Sequence, residues 1–148
     1  MTTLLESMFS FAATGRIGPL RLGMPSSEAD RLLGLAGPTS SPFKDGSLEL
    51  WVGPDRTVRL LGFDSVDGCF SPPSWLGAAA GAQVEGLSRT AVLDGLGRLG
   101  CAWRHDEALT FDDQAAVLTE SGVSAVFTRR QSAADGWVLY SLYASVGS

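Results

Sequence analysis

"SLELWVGPDRTVRLLGF", residues 47–63, alternates apolar and polar side chains, turns, and comes back. A strand sends successive side chains to opposite faces, so Leu48, Leu50 and Val52 share one face. Ser47, Glu49 and Trp51 share the other. Gly53-Pro54-Asp55-Arg56 has the composition of a tight turn. On the return, the spacing predicts Val58 and Leu60 inward and Arg59 outward, with a bulge at Gly62 that lets Phe63 change faces. A hairpin of this length is marginal alone and needs a helix or further strands on its apolar face.

The helix precedes it. In "GMPSSEADRLLG" (23–34), Pro25 fits at or beside the N-terminus. Ser26, Ser27 and Glu28 suit the first turn, and Ala29, Leu32 and Leu33 form an apolar stripe. Gly34 stops the helix, and Gly37-Pro38 forbids its continuation. "GLSRTAVLDGLG" (86–97) echoes it, with Gly23/Gly86, Leu33/Leu96 and Gly34/Gly97 in register. Here Ser88 is the expected N-cap, Val92, Leu96 and Leu99 the stripe, and Gly97 and Gly100 the stop. Strand-like runs follow at 102–111, 114–120, 123–129 and 137–144. The connections 112–113, 120–122 and 130–136 are too short for parallel crossovers, so these strands form an antiparallel meander.

The expected fold is therefore α+β. Two tandem helix-plus-antiparallel-hairpin or meander repeats, about 15–70 and 82–146, make a two-layer sandwich of helices on an antiparallel sheet within one domain, 1–148. A Pro/Gly/Ala-rich linker over 64–82 joins them, with Phe70, Trp75 and Leu76 packing it down. Residues 4–12, "LLESMFSFA", read as a leading helix or apolar arm.

"GPLRLGMPSSEADRLLGLAGP" (18–38) resembles the helix-hairpin modules of β-lactamase-inhibitor proteins and small outer-membrane assembly lipoproteins. Gly23, Met24, Glu28, Leu33, Gly34 and Pro38 carry the likeness, while Pro25 replaces the usual hydroxyl cap. "GPLRLGM" is also similar to openings of small cytosolic bacterial immunity proteins. The lipoprotein function needs an exported, lipidated N-terminal cysteine, and the inhibitors are secreted and disulfide-bonded. "MTTLLESMFSFAATG" has no basic residue before Arg16 and reads as no leader, so neither context is carried over. The resemblance implies the module and a binding role.

The totals agree with that role. At 148 residues, 45% hydrophobic and 18% charged, the chain is of globular composition. Its net charge of −5 disfavours nonspecific nucleic-acid binding and attracts a basic surface. No 18-residue apolar run predicts a membrane span, and a cytoplasmic location is expected. Cys69 and Cys101 read as reduced thiols, with a single bridge as the alternative.

Chemistry is sparse. His105, the only histidine, lies in "WRHDE", where strand alternation puts it on the side of Glu107 and opposite Asp106. No G-x-S-x-G, phosphate loop or compact zinc spacing occurs, although Asp112-Asp113 and Asp64/Asp67 carry hard-cation donors. Arg129-Arg130 is too short for a nucleic-acid patch. We expect no catalytic residue, cofactor or metal. Aromatics among carboxylates suit an interface centre, so Glu49, Trp51, Trp103, Asp106 and Glu107 are the expected partner contacts. The expected function is a monomeric, non-catalytic immunity protein that occludes a toxin's basic or substrate-binding cleft. The alternative is a small-molecule binder or enzyme with a pocket between the repeats and His105 or aspartates at its mouth. A third reading is self-assembly through an exposed sheet edge.

Overall fold

The computed structural model describes residues 3–35, 41–74, 82–131 and 133–146. Pro38, Trp75 and Leu76, and the centre of the expected linker, lie outside them. The chain is α+β. Among the described residues, three α-helices, α1 (Leu4–Thr14), α2 (Ser26–Leu33) and α3 (Arg89–Arg98), accompany an antiparallel sheet of seven strands. Its members are β1 (Phe43–Asp45), β2 (Leu48–Val52), β3 (Val58–Asp64), β6 (Trp103–His105), β7 (Gln114–Thr119), β8 (Ser124–Arg129) and β9 (Trp137–Ser145). A two-stranded ribbon joins β4 (Cys69–Phe70) to β5 (Val84–Glu85).

The order across the sheet is β1-β2-β3-β9-β8-β7-β6. Two meanders thus meet where β3 pairs with β9, from Leu60 opposite Ser145 to Asp64 opposite Ser141. On one face, Leu48, Leu50, Leu61, Phe63, Val117, Ala125, Phe127, Leu139, Leu142 and Ala144 form the core with Leu4, Met8, Phe11, Ala29, Val92 and Leu96 from the helices. Phe11 of α1 meets Phe63 edge to face at 5.9 Å between ring centroids.

Each helix is held where it starts. Thr3 and Glu6 close a capping box on α1, and the Ser121 hydroxyl of the β7–β8 turn donates to the Ala12 carbonyl. The entry to α2 pairs with β3: Gly23 N–H donates to the Val58 carbonyl, and Val58 N–H to that of Met24. The entry to α3 pairs with β9, where Leu139 N–H donates to the Leu87 carbonyl. Ser88 caps α3 through Ala91 N–H, and the Asp135 carboxylate accepts from the Thr90 N–H and hydroxyl. Gly95 allows α1 and α3 to touch, because a Cβ there would lie 2.2 Å from the Phe9 ring.

Several expectations are corrected. The irregularity in the hairpin is not at Gly62. Trp51 faces Leu60 while Val52 faces Val58, so the extra residue is Arg59. A bulge three residues earlier reverses the phase. Leu60 therefore points away from the core, and Leu61 and Phe63 point into it. Leu99 lies beyond the end of α3 and is 54% exposed, so the buried stripe stops at Leu96. Gly97 sits inside α3 and does not end it. The expected strand over 102–111 is only Trp103–His105; a 3-10 turn at Glu107–Leu109 replaces the rest. The alternation that paired His105 with Glu107 therefore does not continue. The thiols, by contrast, are as expected: Cys69 and Cys101 are free, Cys101 buried and Cys69 half-buried.

Candidate functional site

The register places side chains on the sheet face away from the helices as a grid. Glu49, Gly62 and Tyr143 form one row across β2, β3 and β9. Trp51, Leu60 and Ser145 form the row on one side, and Asp64 and Ser141 the row on the other. Gly62 contributes no side chain to the middle row, which leaves a depression of about 220 Å³ lined by Glu49, Leu60, Asp64, Ser141 and Tyr143. Gly62 cannot be enlarged cheaply: a Cβ would lie 2.1 Å from the Leu142 carbonyl oxygen.

Two carboxylates face this depression. Glu49 is oriented from both sides: the Trp51 indole N–H donates to it at 3.1 Å, and Lys44 Nζ lies 3.6 Å away. Such a part-exposed ion pair contributes at most about 1 kcal/mol, so its main effect is to fix the carboxylate's position. Asp64 has no such support. Burial pushes its carboxyl above the usual range, the Glu49 charge pushes it further, and Lys44 offsets only part. Trp51, 43% exposed, stands in the adjacent row, opposite Leu60.

That arrangement has a testable pH signature. A carboxyl raised in the folded state binds its proton more tightly there than in the unfolded chain. Its contribution to stability is present at low pH and is lost as pH rises through the folded value. Asp64→Asn removes the ionised form without removing volume. We expect this variant to melt about 1–2 °C above the parent at pH 7, with the difference vanishing below about pH 4, in thermal melts across that range.

The expected contacts do not form one surface. Glu49 and Trp51 belong to the open-face grid. Trp103 lies on β6, five strands away from β2, roughly 24 Å across the sheet. It pairs with Thr119 in the row next to His105 and Val117, so it projects on the helix side. Asp106 and Glu107 follow it into the 3-10 turn. His105 meets Trp103 edge to face at 5.4 Å and is remote from the depression. Asp67 is engaged by Arg130 and not by Asp64. Among the described residues, no group of three or more His, Cys, Asp or Glu converges as a metal site, and no helix is long and apolar enough to cross a membrane.

Sequence reasoning named Asp64 only as a hard-cation donor, and it missed Tyr143 and the role of Gly62. Tyr143 lies 81 positions beyond Gly62, and only the β3–β9 pairing brings it there. Gly62 did carry a signal, since a strand glycine marks either a bulge or a missing side chain. No family model matches the chain, and no curated protein or solved structure matches it.

Proposed function

We propose that this chain is a non-catalytic protein-binding module of the immunity type, which neutralises a cognate toxin by covering a basic or substrate-binding cleft. The observation that carries this reading is the pair Glu49 and Asp64, facing one depression that Tyr143 also lines, with Trp51 hydrogen-bonded to Glu49 beside it. Burial, and after it the Glu49 charge, disfavour the ionised form of Asp64. A partner's arginine or lysine inserted between the two carboxylates relieves both penalties and gains charge-assisted hydrogen bonds. The exposed indole beside it supplies the aromatic anchor that binding hot spots favour. The chain's net charge of −5 assists encounter with a basic surface.

The two-module reading belongs to the same proposal. It is supported by the shared attachment of the helix entries, 23–26 to β3 and 87–88 to β9. On this view the depression lies on the seam between modules.

A seam pocket is also what the small-molecule or enzyme alternative requires, and two carboxylates on one depression are groups that acid–base chemistry uses. For the open-face depression, size favours the binding reading. About 220 Å³ of open depression falls below the roughly 300–1,000 Å³ of ligand pockets, and it suits one inserted side chain.

The test is titration calorimetry of the purified protein against the product of the neighbouring gene. A one-to-one complex whose affinity falls at least about tenfold from 50 to 300 mM salt supports the proposal. Absence of a complex, or salt-independent binding, overturns it.

A further inference from the structure

Trp103, Asp106 and Glu107 lie outside the open-face site, yet the strand carrying Trp103 has its own binding geometry. β6 ends the strand order, and all three of its residues are exposed. Its register with β7 settles which backbone groups are spent. Glu120 N–H donates to the Ala102 carbonyl and Asp106 N–H to that of Ala116, so residues 102, 104 and 106 point their N–H and C=O groups at β7. By alternation, those of Trp103 and His105 point outward. Among the described residues nothing pairs with them.

An incoming antiparallel strand that uses all four outward groups must place one residue opposite Arg104, in a position without backbone hydrogen bonds, where Cα atoms approach to about 4.5 Å. Arg104 makes no ion pair among the described residues. It lies on the open-face side opposite Leu118, above a depression of about 190 Å³ that Glu120 also lines. Glu120 is turned to the Ala102 N–H at 3.3 Å. A second copy is a poor occupant. The only antiparallel register that pairs both Trp103 and His105 with a copy's His105 and Trp103 sets Arg104 against Arg104, and like charges directly opposite destabilise a ladder. A strand with a carboxylate in that place turns the repulsion into attraction.

We propose that β6 is a strand-addition site for an extended segment of a partner protein with the pattern apolar–acidic–apolar. The acidic residue faces Arg104, and the apolar ones lie on the side of Trp103 and His105. Main-chain hydrogen bonds supply affinity and Arg104 supplies selectivity. This site is independent of what the open face engages.

The test uses the full chain, ¹⁵N-labelled, and two capped pentapeptides, Thr-Val-Glu-Val-Thr and Thr-Val-Lys-Val-Thr. The glutamate peptide is expected to shift the Trp103 and His105 amide resonances, with the lysine peptide binding about tenfold more weakly. Arg104→Glu, at an exposed position that leaves the fold intact, is expected to reverse that order. Equal binding of both peptides, no shift at those amides, or shifts centred on Glu49 and Tyr143 overturns the proposal. So does a shift of the Trp103 and His105 amides on concentrating the protein alone, which assigns the edge to a second copy.

Discussion

Phe63→Ala is expected to cost about 4 kcal/mol of stability and lower the melting temperature by roughly 12 °C. The side chain is fully buried. It stands between Leu48 of β2 and Leu142 of β9 in the ladder, and the Phe11 ring of α1 packs against it. Removing it opens a cavity bounded by both meanders and a helix, and backbone fixed by hydrogen bonds on both sides collapses little into it. Leu60→Ala, three positions earlier on the same strand, is the control. Leu60 lies on the open face and is only half-buried, so its truncation should cost about 1 kcal/mol or less. Urea unfolding of the two variants measures the contrast. Equal losses would mean that the phase of β3 is wrong, with the bulge at Gly62 and not at Arg59.

Trp51→Ala and Glu49→Lys are the second pair, and they act on binding. Each is expected to weaken the proposed toxin complex at least about 100-fold in calorimetry, with a loss of less than about 1 kcal/mol in the stability of the free protein. Trp51 is exposed and outside the core, so its truncation removes contact area at the interface and leaves the fold intact. It also releases Glu49 from the indole hydrogen bond. Glu49→Lys does more. It sets a second cation beside Lys44 and beside the inserted basic side chain, replacing attraction by repulsion. Because both residues act through one hydrogen-bonded pair, the double variant should lose less than the two single losses added together.

Local order in this chain was legible where one period ran undisturbed. The helix beginning at Ser26, the Ser88 cap, the inward Leu48 and Leu50 and the meander β7–β9 all follow from spacing and turn chemistry. Errors arose where an irregularity left no mark in composition. The bulge falls at Arg59, an ordinary strand residue, while the glycine that drew attention serves a close approach to β9. Likewise nothing in "WRHDEAL" announces that the strand stops after His105. The candidate site was half legible. Glu49 and Trp51 stand out as polar and aromatic residues opposite an apolar stripe. Asp64 and Tyr143 join them only through pairing between strands distant in sequence, which no local pattern encodes.

Growth rescue separates the two ends of the sheet most directly. Cells expressing the proposed toxin, the product of the neighbouring gene, should be protected by the parent protein and equally by Trp103→Ala/Glu107→Ala, while Glu49→Lys/Asp64→Lys, confirmed folded by its melting curve, should protect at least about 100-fold fewer cells. Full protection by the Glu49→Lys/Asp64→Lys variant, with protection lost in Trp103→Ala/Glu107→Ala, would contradict the assignment of the open-face depression as the toxin-binding site.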